Sequence, residues 1–287
     1  MKLFSAALLL TLCAPATQEK VELRWKWQKG QELVYRSQQK TLLELLGQPI
    51  EQQMAYKYSL TVTDVSDKGE TTLQVKYLAV ATKGSGPQGE FDYDSEKDKE
   101  VPVEGPAAMQ ARMVGQSFTM KMNAVGRVTD VKGYDKVLEA MLKGEEANPQ
   151  LKQMFSNDSF KGMMQQMAPP LPEAKVGKGD PWETDFEVKM PMIGGMKFTQ
   201  NSKLTDLKEG NAHIDQDIKV ELSKGDPDNP FAGLVALKDA VGKASAVFSV
   251  EKGCFVSQKS AMEMKIVVQA QEMPMKTVVE LKLISSK

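Results

Sequence analysis

His213 is the only histidine among 287 residues, and that count removes most of the familiar catalytic chemistry. Nucleophilic triads and dyads need a base such as histidine beside a hydroxyl or thiol in a shielded pocket. His213 shares its side of an alternating segment with Asp215, Asp217, Lys219 and Glu221. Alternation places it on a wet strand face, where it is an ordinary surface imidazole. Zinc fares no better, because the only thiols are Cys13 and Cys254 and a tetrahedral site takes four soft or carboxylate donors. Asp226-Pro227-Asp228-Asn229 and Asp92-Tyr93-Asp94 bring oxygen donors close together, as calcium prefers. Neither has the glycine and terminal glutamate of an EF-hand loop, and both read as turn and cap residues. There is no G-x-S-x-G and no P-loop. Gly84-Ser85-Gly86 runs into Pro87 instead of opening a helix. Paired carboxylates for glycoside hydrolysis leave no local signature. The expectation is a non-enzymatic protein with no metal and no cofactor.

The eighteen methionines point elsewhere. Thioether side chains are flexible and polarizable, and they suit surfaces that fit irregular apolar ligands. Phe160, Met163, Met164 and Met167 recur at i, i+3, i+4 and i+7 before Pro169-Pro170, one stripe of a helix. Other apolar residues sit where hairpin tips are expected: Leu45 and Leu46 before Gly47, Met192 and Ile193 before Gly194-Gly195, and Met273 beside Pro274. Hairpin tips are normally polar, so apolar ones imply cover by the intervening helices or by a partner. These nine residues are the candidate ligand-binding set.

The elements that must position them are mainly strands. Tyr56, Tyr58, Leu60 and Val62 alternate with Lys57, Ser59, Thr61 and Thr63; Leu73, Val75 and Tyr77 follow the turn Ser66-Asp67-Lys68-Gly69. Ala212, Ile214, Ile218, Val220 and Leu222 alternate with charged residues, and Met262, Met264 and Ile266 lead through a turn at Glu272-Met273-Pro274 to Val279, Leu281 and Leu283. Period-two patterns with one apolar face describe half-buried antiparallel strands. Tyr134, Val137, Leu138 and Met141 share a helical face. Gly84–Gly89 and Asp92–Glu96 read as solvated connections.

The two halves carry a weak internal repeat. Lys29-Gly30 and Lys178-Gly179 open the units, and Thr63-Asp64-Val65 matches Thr205-Asp206-Leu207. Helical segments are expected at Pro106–Val114 and Pro230–Val241, closed by Gly115 and Gly242, with strands and turn glycines Gly126 and Gly253 after them. The expected fold class is therefore α+β, mostly antiparallel β, with one curved sheet or two and helices between the repeats covering one face. The segments are 1–16, a leader; 17–133, the first β-rich repeat; 134–175, a helical insertion; and 176–287, the second repeat, with 17–287 as one continuous domain the alternative.

Met1-Lys2, the apolar run Leu3–Leu12 and Ala14-Pro15-Ala16 have the form of a secretory signal peptide. Cleavage near Ala16 and export to the periplasm or the medium are expected. Leu10-Thr11-Leu12-Cys13 resembles a lipoprotein processing site, but Leu12 is larger than such sites take. After cleavage Cys254 is the one remaining thiol, so an internal disulfide is excluded. A formal charge of −1 without a basic block argues against nucleic acid, and no other stretch is long and apolar enough for a transmembrane span.

Trp27 before Lys29-Gly30, Tyr56 and Tyr58 leading to Val62-Thr63-Asp64-Val65, Phe91-Asp92-Tyr93-Asp94-Ser95 and Gly179-Asp180-Pro181-Trp182 resemble an uncharacterised family of secreted bacterial proteins, a domain of unknown function. That resemblance runs through the mature chain and implies no activity or catalytic residues. The architecture is also similar to the half-barrel with a helical plug of bacterial lipoprotein carriers, by analogy of fold alone. The leading expectation is an exported binding protein whose apolar cleft takes a lipid-like molecule. An envelope scaffold docking through apolar hairpin tips is the alternative, and a carboxylate-dependent secreted hydrolase the third reading.

Overall fold

The computed structural model describes residues 20–45, 47–86, 89–143, 157–190, 194–223 and 234–287. The leader with Cys13, the Asp226–Pro230 cluster, Leu46, Met192 and Ile193 lie outside the described residues. The strands are β1 (Glu32–Leu45), β2 (Gln48–Val65), β3 (Thr71–Gly86), β4 (Gly89–Asp94), β5 (Ser117–Met122) and β6 (Val128–Lys132) in the first half. The second half supplies β7 (Pro181–Met190), β8 (Gly194–Lys208), β9 (Asn211–Leu222), β10 (Val235–Ser249), β11 (Cys254–Val268) and β12 (Gln271–Ser286). Three short helices are described: α1 (Gly105–Ala111), α2 (Tyr134–Met141) and α3 (Asn157–Met167).

All twelve strands form one antiparallel sheet, ordered β6-β5-β3-β2-β1-β12-β11-β10-β9-β8-β7, with β4 pairing the far end of β3 beyond β5. The fold is thus mostly antiparallel β, and the first and last long strands meet at its centre, Leu33 opposite Ser286 through Leu43 opposite Met275. Register is legible in the turns. Glu209-Gly210 and Gln269-Ala270 hold φ of 51° and 72°, and 49° and 70°, the two positive angles of the hairpin turn whose twist matches its strands.

Several sequence expectations are corrected here. The helix expected over Pro230–Val241 is strand from Val235 onward, where alternation and the ladder to Met262–Val268 prevail over the proline and glycine signals. Among the described residues, the second half of the repeat therefore shows no matching helix. The turn expected at Glu272-Met273-Pro274 falls at Gln269-Ala270, so Met273 and Pro274 lie within β12. Pro274 is tolerated there because the β12 ladder to β1 ends at Met275, and its missing N–H falls at the frayed edge. Gly84 to Gly86 belong to β3 and Asp92 to Asp94 to β4; neither is a loop.

The described helices do not blanket one face. Helix α3 packs between the two edge strands. Its Gly162 lies against the Glu187 carbonyl and Val188 of β7, Lys161 Nζ donates to the Thr129 carbonyl of β6 at 3.0 Å, and Gln165 Oε1 accepts from Val128 N–H at 2.9 Å. Arg127, just before β6, donates to the Asp185 carbonyl of β7 at 3.2 Å. The sheet is curled until its edges meet across one helix, which also shields their unpaired backbone groups. Bulges such as those at Val34/Tyr35, Leu204/Asp206 and Val247/Phe248 permit that curvature.

One end of the curl is filled. Trp25 stacks on Trp27 at 5.0 Å and meets Phe248 and Phe255 edge-on, and Tyr35, Leu33, Tyr58 and Leu204 pack around them. The N-terminal segment is pinned by Trp25 N–H to the Ala124 carbonyl and Lys26 N–H to the Gly253 carbonyl. Glycine is obligatory at both contacts. A Cβ on Gly126 would stand 2.7 Å from Trp25 Nε1, and one on Gly253 would collide with the Lys26 backbone nitrogen and side chain.

Candidate functional site

The two faces of the sheet differ in kind. The outer face carries cross-strand ion pairs, among them Lys259–Glu280 at 2.6 Å, Lys276–Glu263 at 2.9 Å and Lys40–Glu51 at 3.0 Å. Each is solvent-exposed and screened by water and salt, so its net contribution is small; together they keep that face wet. His213 lies here, half-exposed, in a groove of about 430 Å³ that also takes in Arg36, Asp215, Lys259 and Glu280. The inner face carries no charged residue in the described rows. Its register can be followed from strand to strand because opposite residues share a face.

Three such rows define the inner wall of the curl. The lowest runs Leu204, Ile214, Ala246, Gln258, Leu281, Ser37, Tyr56 and Val80. The middle row runs Trp182, Ser202, Gln216, Ala244, Ser260, Val279, Gln39, Met54, Thr82 and Tyr93, unbroken across ten strands from β7 to β4. Above it come Thr184, Gln200, Ile218, Gly242, Met262, Thr277, Thr41, Gln52 and Gly84. Beyond that row the central strands end in Leu43, Ile50, Met264, Met275, Ile266 and Met273, of which only Met264 is fully buried. The face therefore grades from a packed aromatic core, through a neutral polar belt, to a half-buried apolar mouth.

The belt is incompletely satisfied. Gln216 Nε2 donates to Ser202 Oγ at 3.0 Å, Gln39 Nε2 donates to Thr41 Oγ1 at 3.2 Å, and the Thr41 and Thr277 hydroxyls are 3.3 Å apart. Gln216 Oε1, Gln258 Oε1, Thr82 Oγ1 and Trp182 Nε1 are buried without a hydrogen-bond partner among the described residues. A buried polar atom left unpaired costs about 1–3 kcal/mol, so four of them around one wall are not packing noise. Burial also pushes the tyrosines of the wall upward: Tyr56 to about 12, held back by its hydrogen bond to Gln110, and Tyr58 and Tyr77 further still. They are neutral donors at any physiological pH. No group of three or more His, Cys, Asp or Glu among the described residues is arranged to hold a metal ion, and no described helix is long and apolar enough to cross a membrane.

The residues expected from the sequence fall in two places. Phe160 is buried, stacked on Tyr134 and edge-on to Phe118, and Met164 is buried beside it. Met163 is half-buried between the main core and a second cluster formed by Val188, Phe198, Ile218, Val220, Ala240, Ala244 and Met264. Met167 belongs to α3, but its side chain is outside the described set. Leu45 and Met273 lie half-buried at the mouth, on neighbouring central strands. The structure thus brings Leu45 and Met273 together and sets Phe160, Met163 and Met164 at the seam. Sequence reasoning missed the polar belt. Its signal was present: Gln216 interrupts Ala212-Ile214-Ile218-Val220, and Gln258 and Ser260 continue the series of Met262 and Met264.

With this geometry in hand, comparison with known proteins adds a family and a fold. A model described as a family of unknown function, DUF6263, matches residues 68–237, more than half of the chain. The strands outside that match, β1, β2, β11, β12 and β10 beyond its first three residues, are neighbours at the sheet centre. No curated protein matches the chain. A structure titled "Lipid-protein interactions in lipovitellin" is similar over 91% of this chain, at 9% identity and a TM-score of 0.52, and the chain spans only 26% of that protein's length. DynF from the dynemicin biosynthesis pathway of Micromonospora chersina shows 8% identity and a TM-score of 0.21, with 97% of this chain and 92% of that one covered. A lipoprotein-sorting protein domain from Vibrio parahaemolyticus shows 7% identity and a TM-score of 0.15, covering 88% and 84%. The last two likenesses are too remote to bear on the fold.

Proposed function

The chain belongs to that family of unknown function, and from this premise we propose that it is an exported, non-enzymatic carrier of a lipid-like molecule held inside the curled sheet. One observation carries the reading: an inner face free of charge across ten strands, whose upper part is walled by Met, Leu and Ile side chains left half-buried. A face built only to support a core would bury those side chains, since each fully buried one gains about 1.5–3 kcal/mol. Flexible methionines at the mouth suit chains of varied shape. The similar sheet of lipovitellin, in a structure titled for lipid–protein interactions, supports the same reading at the level of fold. Export is proposed from the leader-like segment Met1–Ala16.

The test is native mass spectrometry with solvent extraction of the protein purified from its own envelope. A bound apolar molecule, released on unfolding, is the expected result. Leu43→Glu with Met275→Glu, a facing pair at the mouth, should abolish that occupancy in a folded protein. Consistently empty wild-type protein that also takes up no added lipid would refute carriage.

A further inference from the structure

We propose that the curled sheet selects an uncharged lipid whose head group carries at least two hydroxyls, and that these donate to Gln216 and Gln258 on either side of β10. The inference rests on the carrier reading and names its ligand class. Gln216 of β9 stands opposite Ala244, and Gln258 of β11 stands opposite Ala246. Ala244 and Ala246 share one face of β10, so two small side chains, one buried in each apolar cluster, separate the two amides.

Each amide leaves its Oε1 buried and without a partner, and Gln216 as a whole is only 6% exposed. Amide oxygens accept, so the missing group must donate. The belt also offers a donor to the ligand, the unpartnered indole Nε1 of Trp182, and a hydroxyl of either sense at Thr82. A plain hydrocarbon would leave all four unpaired. An ionised head group would find no counter-charge, because no Lys, Arg, Asp or Glu occupies the described rows of the inner face. Burying a charge without a partner is far costlier than burying a hydroxyl.

The experiment measures binding of three probes to full-length protein freed of co-purified ligand: 1-monooleoylglycerol, oleate at neutral pH, and hexadecane. The monoglyceride is expected to bind about tenfold or more tightly than either of the others, on the scale of one or two net hydrogen bonds. Gln216→Leu with Gln258→Leu should erase that preference and leave hexadecane uptake unchanged. The empty double variant should melt no lower than wild type, since leucine removes two unpaired buried oxygens. Equal binding of oleate, retained preference in the variant, or a variant that unfolds would each overturn the assignment while leaving carriage standing. Failure of all three probes, hexadecane included, would instead sink the carrier reading itself.

Discussion

Gly162→Ala tests whether α3 is a close-fitting seam between the sheet edges or a helix resting loosely on them. Gly162 occupies the middle of α3. In a solvated helix interior, alanine is favoured over glycine by about 0.8–1.0 kcal/mol. Here the added Cβ would stand 2.7 Å from the Glu187 carbonyl oxygen and 2.8 Å from Val188 Cα, against backbone that cannot turn aside. Ordinary contact begins near 3.4 Å, so the helix must withdraw from β7. Overpacking of this kind costs about 1–3 kcal/mol, and withdrawal also strains the Gln165 bonds to β6 and the Phe160 stack on Tyr134. The repulsive effect wins, with a net loss of ~1–2 kcal/mol and a melting temperature lower by several degrees. Thermal unfolding reads the sign, with the exposed Gln166→Ala on the same helix as control. Hydrogen exchange should quicken at the Val128 amide, whose acceptor is Gln165 Oε1. A G162A protein more stable than wild type would refute the seam.

Three shorter predictions follow from the core. Gly253→Ala should destabilise by more than 2 kcal/mol, because it combines a positive φ of 61° with a clash against Lys26 that would unpin the Trp25 segment; chemical denaturation measures it. All six tyrosines are held above their ordinary range, each chiefly by burial in or beside the core. The folded state therefore keeps protons that the unfolded state loses above pH ~10; stability is intact below that pH and falls as pH rises toward 12 and beyond, by ~1.4 kcal/mol per pH unit for each tyrosine involved. Tyrosinate absorbance should appear together with loss of β circular dichroism; tyrosinate forming in a folded protein would contradict it. Burial likewise raises the Cys254 thiol, so a thiol reagent should label it only as the protein unfolds. Rapid labelling of the native protein would show that the filled end is open.

Much of the sheet was legible because strand alternation is local. Tyr58-Leu60-Val62, Leu73-Val75-Tyr77 and Ala212-Ile214 are buried as their period predicts. The helical stripes at Tyr134–Met141 and Phe160–Met164 are helices. The Pro230–Val241 segment was misread because proline and glycine signal helix ends without reporting a neighbouring strand that completes a ladder. The candidate site was half legible. Leu45 and Met273 stood out as apolar residues near tips, but the belt did not, since a lone Gln or Ser in a strand looks the same whether it faces water or a lumen.

By itself the sequence determined the alternation, most of the hairpin turns, the scarcity of histidine and cysteine, and an uncharged face along most of each long strand. Those follow from one- to four-residue chemistry. Only the tertiary structure decided that β1 pairs with β12, that one helix joins the edges, and that Gln216 and Gln258 flank two alanines. Partners two hundred residues apart meet through register, and register depends on the summed fit of whole strands instead of on any residue's own preference.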